Sequence, residues 1–509
     1  MSKEDILDQV QKSTEYLKKI YGEDAETIIA NQRYGFISGI TKRIVSRTVE
    51  ERIYISDHID RIVTNRILGL PIFLFFMWVM FKLTFIASEP FMNWIEIGEN
   101  WLSDSISSFF PEGSVIEGLI VDGVIGGVGS VLVFVPIIFL LFFFMALLED
   151  SGYMARAAFI MDNIMQKIGL PGKAFIPMIL GFGCGLPGIM ATRTIETKRD
   201  RFITILIIPF MSCGAKLPIY TLFIGAFFSS QGGTILFSLY LLGILTAIIM
   251  AKVLGKYVIP GSPVPFLMEL PPYRMPHLKG TLIHTWERGK IYLKKAGTII
   301  FAGCIIIWLI SNFPWNPEYS KDYKALIKNI QAEYNAQLKS TKKGTPQYAT
   351  IKEDFDHTIS TLKNEQASEK LKKSYAGRLG KLIEPLVKPL GFDWKIGVSL
   401  IGGIIGKEIV VGTLGTLYAV GESDEKSESL RNSIKKDTWP DGRKIYTPLT
   451  AFSLMVFCLL YMPCIATIGV IFQETYSWKW AAFAAIYTTT FAWIVSFIIY
   501  QGGKLIGLG

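Results

Sequence analysis

The chain has 509 residues, of which half are hydrophobic, 13% aromatic and only 19% charged, with a net charge of +9. That balance excludes disorder and coiled coil, and five cysteines are too few for a disulfide scaffold. Apolar runs of about twenty residues recur, and basic residues flank them rather than forming a stripe interleaved with stacking aromatics. The reading is an all-α polytopic membrane protein with no nucleic-acid partner.

Residues 1–66 are polar, carry both charges and show no secretory signal pattern. They read as a cytoplasmic helical segment. The first span is expected at 67–88, and Arg43, Arg47, Arg52, Arg61 and Arg66 before it keep the N-terminus in the cytoplasm. Between Lys82 and Arg156 there is no basic residue, but there are Glu89, Glu96, Glu99, Asp104, Glu112 and Glu117. This acidic stretch, which closes a first region at 127, reads as outside. A second span at 128–149 returns the chain to the cytoplasm.

Residues 174–192 are apolar but carry Gly181, Gly183, Gly185, Pro187 and Gly188, which a helix interior tolerates poorly. Both flanks are basic, so the segment reads as a re-entrant hairpin entering and leaving on the cytoplasmic side. Spans at 202–227 and 234–255 follow, then a basic cytoplasmic linker at 261–295. A span at 296–312 leads out to a lysine-rich insert, 313–380, whose length removes its charges from the topology vote. The second glycine-rich apolar segment, 394–420, holds Gly402, Gly403, Gly406, Gly412 and Gly415. A polar loop at 421–446 and spans at 448–472 and 480–500 complete the chain. The expectation is seven spans plus two re-entrant segments, or eight spans with the C-terminus inside if one broken segment crosses fully, within a range of about seven to nine transmembrane helices.

The chain repeats itself, one unit at 128–260 and the other at 296–473, with 474–509 holding the last span. Gly129-Ser130-Val131-Leu132 matches Gly297-Thr298-Ile299-Ile300, Thr192 matches Thr413, and Met211-Ser212-Cys213 matches Met462-Pro463-Cys464. Leu186-Pro187 then faces Lys407-Glu408. The charge argument makes the two units run in opposite directions. Inverted repeats with glycine- or proline-broken segments at matching places mark a transporter or channel core, with its site near midplane.

Several residues stand near those breaks. Cys184, Cys213 and Cys464, with the thioethers of Met154 and Met211, are donors suited to soft or borderline divalent metals. Glu408 lies inside a broken apolar segment, where an ionisable group is costly and functional by default; Lys407 beside it is a candidate counter-charge. Glu149 and Asp150 end the second span and would draw a cation to its mouth, or pair with Arg156. Cys304 and Cys458 read as small buried hydrophobes. No HExxH, GxSxG, CxxC or P-loop occurs in the sequence, and the four histidines are scattered. No catalytic residue and no bound cofactor is expected.

The segments 149–156, 181–193, Pro209 to Pro218 and Lys407 to Gly415 together resemble the ferrous iron transport protein B (FeoB) family, as does Asp60 to Pro71 at the first span. The paired units resemble the Gate repeats that this family shares with nucleoside-transport relatives. The resemblance implies bacterial inner-membrane uptake of Fe²⁺ as the transported substrate, with Cys184, Cys213 and Cys464 at the positions of the family's proposed pathway cysteines. It further implies a GTPase domain, here supplied by a separate chain or missing from a shortened form, and small regulatory iron-transport proteins as partners besides the bilayer. Residues 1–50 resemble only the tail of the family's helical domain. Gly185 stands where the family typically has Asn. Two other readings stay open from sequence: a Gate-repeat carrier of an organic solute such as a nucleoside, and a non-transporting assembly partner. The oligomeric state, a homo-oligomer included, is also open.

Overall fold

The computed structural model describes residues 9–10, 12–18, 32–37, 39–40, 48–65, 67–110, 114–126, 129, 132–133, 135–261, 270–314, 317–323, 325–330, 334, 346–418, 427–439 and 441–507. Among them the chain is helical, and the one extended pairing is an isolated bridge between Thr438 and Lys444. Five helical stretches are long and apolar enough to cross a bilayer: Gly69–Ser107, Lys198–Phe227, Gly232–Val258, Pro448–Thr475 and Trp478–Leu505. A bent pair, Val135–Asp150 and Tyr153–Ile168, is a sixth if counted as one span. The all-α polytopic reading therefore holds; among the described residues five stretches, or six with the bent pair, qualify against the seven spans expected.

The differences have local causes. The first helix does not stop near 88 but runs 39 residues to Ser107, about 58 Å at the α-helical rise. Its Pro90 is tolerated mid-helix, and the apolar run continues past it through Phe91, Trp94 and Ile97. The second span ends after 16 residues and turns through 83°. Gly152 makes that elbow, with φ of 84°, a conformation that other residues resist. The expected linker and the span at 296–312 belong to one 35-residue helix, Leu278–Asn312. Between Pro276 and Pro314 the sequence offers no proline to stop it.

The elbow is held by the N-terminal part of the chain. Arg156 is fully buried and forms a two-pronged ion pair with Asp60, 2.9 Å at both contacts. It also donates to the carbonyls of Gly152 and Pro271 and lies over the ring of Tyr273. The Tyr273 amide donates to Ser56. Helix Thr48–Val63, the elbow and the 270–277 strand of chain are thus joined at one point.

Each repeat contains a hairpin of half-helices followed by a broken span. The first hairpin pairs Phe175–Gly183 with Gly185–Ala191, separated only by the extended Cys184. Gly188 permits the approach: a Cβ there would sit 2.8 Å from the Pro177 carbonyl and 3.1 Å from the Gly181 nitrogen. The second hairpin pairs Trp394–Gly402 with Ile409–Leu417, opened by the Asp393 side chain accepting from the Ile396 amide at 3.0 Å. The spans that follow are each interrupted, at 211–213 and at 461–464. Pro209 and Pro218 flank the first interruption and Pro463 lies in the second, so the breaks follow from missing donors and fixed φ.

The hairpins exchange partners. The returning half of the first packs on Ile465–Thr475, and the returning half of the second packs on Leu217–Phe227. Their mouths lie at opposite ends of Pro448–Thr475. At the first, Arg193 and Arg201 both reach Glu474, which is 3% exposed. At the second, Lys395 and the Tyr418 hydroxyl both reach Asp437, just before that span begins. This is the arrangement of inverted repeats.

Candidate functional site

All four interruptions meet at one cavity of about 190 Å³. Its lining includes Cys184 and Leu186 from the first hairpin, Met211, Cys213 and Lys216 from the first broken span, Lys407 and Glu408 from the second hairpin, and Cys464 and Thr467 from the second broken span. The first-span helix closes one side with Phe81, Thr84 and Phe85. Helix Val135–Asp150 adds Ile137, Ile138 and Leu141.

The chemistry follows from where each half-helix restarts. Cys184, Cys213, Glu408 and Cys464 each occupy the position immediately before the helical segment that follows a break. Three thiols and one carboxylate therefore stand at equivalent places, one at each of the four breaks. Around them the walls are mostly apolar. The Cys464 sulfur and the Thr467 hydroxyl share a hydrogen bond of 3.0 Å. One carboxylate oxygen of Glu408, Oε2, is buried without a hydrogen-bond partner. Lys407 does not answer that charge with an ion pair; its ammonium donates to the Met462 carbonyl at 2.7 Å and stands over the Tyr461 ring. Among the described residues no three His, Cys, Asp or Glu side chains stand close enough to hold a metal ion together. The donors are distributed along the cavity wall rather than gathered into a closed chelate.

Of the residues singled out from sequence, the cavity brings together Cys184, Cys213, Cys464, Met211 and Glu408. It does not include the other three. Met154 is buried against Met145 and Leu180. Glu149 pairs with Arg288 at 2.9 Å, and Asp150 accepts from the Thr281 hydroxyl at 2.9 Å, so helix Leu278–Asn312 engages both carboxylates. Arg156, their expected partner, belongs to Asp60. Cys458 is fully buried in the core, and the side chain of Cys304 lies outside the described residues. Sequence reasoning missed Lys216 and Thr467. Each lies three residues after a matched cysteine, a register that the repeat alignment already contained.

Fold and site together define a polytopic α-helical membrane protein with a paired Gate core. A family profile described as Gate, nucleoside recognition, matches residues 131–227 and 293–478. Profiles described as ferrous iron transport protein B C terminus and FeoB cytosolic helical domain match 236–288 and 1–46. The chain is 48% identical over 95% of its length to the Fe(2+) transport protein A/Fe(2+) transporter FeoB fusion protein of Porphyromonas gingivalis, covering 56% of that relative. It is 40% identical to the Fe(2+) transporter FeoB of Methanocaldococcus jannaschii, over 96% of this chain and 65% of that one. With the Campylobacter jejuni Fe(2+) transporter FeoB the identity is 39%, over 92% and 69%. No solved structure matches the chain. The chain belongs to the FeoB family, and it spans between 56% and 69% of the length of these three curated relatives.

Proposed function

We propose that this chain carries Fe²⁺ across a bacterial inner membrane, with the N-terminus and the Glu474 end in the cytoplasm and the Asp437 end outside. The observation that carries the reading is the convergence of four breaks on one cavity whose restart positions are Cys184, Cys213, Glu408 and Cys464. Sulfur with a single carboxylate suits a borderline divalent ion better than a hard one. Spread-out donors suit an ion that must leave again, since conduction needs several weak sites rather than one tight one. Relatives named Fe(2+) transporter support the same substrate. The fusion relative's name joins Fe(2+) transport protein A to the transporter, which supports a small partner protein acting on the same system. No catalytic chemistry is assigned to the chain, and GTP coupling would enter through a G domain acting on the cytoplasmic face.

An organic-solute reading is less well supported. A nucleoside needs convergent amide and hydroxyl groups, and the cavity lining contains no Asn or Gln.

The test is anaerobic Fe²⁺ influx into liposomes holding the chain, with and without a GTP-supplied G domain of the family. Cys213→Ser, Cys464→Ser and Glu408→Gln should each cut influx by about tenfold, the effect of about 1.4 kcal/mol at a barrier. Folded variants with unchanged influx would overturn the pathway, and absence of influx by the unmodified chain under both conditions would overturn the substrate.

A further inference from the structure

The breaks that build the cavity also strip main-chain carbonyls of their helical partners. Inside a bilayer such oxygens must find other donors or ions. The carbonyls of Pro209 and Met211 come from the first broken span, and those of Leu459 and Met462 from the second. Lys216 is 3% exposed and its ammonium lies 3.2 Å from the Pro209 oxygen, 3.1 Å from that of Met211 and 2.8 Å from that of Leu459. An ammonium has three N–H donors. Here three main-chain oxygens, drawn from both repeats, receive them. Lys407, 2% exposed, does the same on a smaller scale with the single oxygen of Met462. Among the described residues neither lysine forms an ion pair with an acid.

A cage of main-chain oxygens is what a hard cation such as K⁺ or Na⁺ seeks when it sheds water. In this protein the cage already holds a cation, and that cation is covalently attached. We propose that Lys216 is a tethered cation: it fills a main-chain oxygen site between the two repeats and so bars hard monovalent cations from the cavity, with Lys407 as a second, weaker guard. The acceptors of this cage are main-chain oxygens only, while the thiols of Cys184, Cys213 and Cys464 line the same cavity without joining it, so a metal that binds sulfur keeps its donors while K⁺ and Na⁺ lose theirs. The inference rests on reading the cavity as a cation pathway. It concerns what is excluded, whereas the proposed function concerns what is carried.

A purely structural lysine would only satisfy carbonyls, and the two roles separate by variant. Lys216→Gln keeps N–H donors and drops the charge, while Lys216→Met drops both. The full chain is placed in liposomes under a K⁺ gradient, and K⁺ leak is read beside Fe²⁺ influx, with elution volume and thermal midpoint in detergent as checks of folding. The unmodified chain should hold the gradient. Lys216→Gln and Lys216→Met should raise K⁺ leak about tenfold or more, and Lys407→Gln should raise it less. A folded Lys216→Gln that holds the gradient as well as the unmodified chain overturns the proposal, because the charge is then dispensable. If neither Lys216 variant folds, Lys407→Gln decides: leak supports the guard, and none overturns it. The K⁺ readout does not depend on iron, so failure of the unmodified chain to carry Fe²⁺ would count against the proposed function alone.

Discussion

The two repeats share a backbone and divide the charges differently. Three residues after its cysteine, the first broken span places Lys216, which reaches across to Leu459 of the other repeat. At the matching place the second carries Thr467, which bonds its own Cys464. The hairpins differ in the opposite sense. The first carries Cys184 and no charge at its tip, whereas the second carries Lys407 and Glu408. Each repeat thus supplies one lysine, but from a different element. Repetition fixes where the chain breaks, and the residues at the breaks decide the polarity, so an internal duplication can build a symmetric frame around an asymmetric site.

The mouths of the hairpins show the same divergence, and variants there sharpen it. The first is strapped by one buried acid between two arginines. Glu474→Ala should cost about 2 kcal/mol: it removes a buried carboxylate that holds two arginines, but Arg193 and Arg201 keep access to water. Asp437→Ala at the second mouth should cost about 1 kcal/mol, near the range of more accessible pairs. Thermal unfolding of both variants in one detergent gives the comparison, and equal losses would break it.

The hairpins themselves should respond unequally to one added methyl. In Gly188→Ala the new Cβ meets backbone at 2.8 Å, whereas in Gly402→Ala it meets the Thr413 hydroxyl at 3.1 Å and Ile409 at 3.4 Å. Overpacking against backbone should cost about 2 kcal/mol at Gly188 and under about 1 at Gly402. The same unfolding measurement checks the order.

The smallest effect concerns an attachment that the first repeat lacks. The insert helix Pro346–Lys373 rests on the end of the second hairpin, where Ser368 donates to the Leu417 carbonyl at 2.8 Å. Glu369 ties this helix to 320–323 within the same insert. Burial alone would raise its carboxyl, but hydrogen bonds from Lys373, from Ser320 through hydroxyl and amide, and from Tyr323 outweigh it and bring the group down to about 2. A carboxyl lowered on folding stabilises the fold fully above its ordinary value of 4.5 and loses that contribution as pH falls toward 2. Amide exchange in 346–373, corrected for the intrinsic rate, should therefore quicken below about pH 3, and Glu369→Gln should remove the step. Exchange that ignores both pH and the substitution would show that the insert is held by other contacts.

The hairpins and the repeat were legible because glycine and proline announce broken helices, and because matched cysteines fixed the register. The interruptions at 211–213 and 461–464 were less so. Their prolines are visible, but hydropathy stays high through both, and a hydropathy window reads straight across. At Gly152 the charged Glu149-Asp150 pair did mark the end of the span, but no local pattern showed that the chain turns there by 83° into a second packed helix. Pairing was not legible at all. Arg156 is four residues from Gly152 and 96 from Asp60, and it bonds to both. Glu149 and Asp150 seemed free to meet ions because the helix that holds them begins more than a hundred residues later. Local pattern shows where a chain bends; only the assembled structure shows which charges those bends bring together.

The junction at Arg156 has a mechanical consequence. Two parallel hydrogen bonds resist shear and rotation, unlike the swivel of a single contact. Helix Thr48–Val63 is therefore fixed in orientation, as well as in position, to the Tyr153–Ile168 arm of an elbow bent by 83°. The other arm of that elbow, Val135–Asp150, forms part of the cavity wall through Ile137, Ile138 and Leu141. The N-terminal helix and the cavity wall are thus the two ends of one continuous chain of contacts, joined through a single arginine.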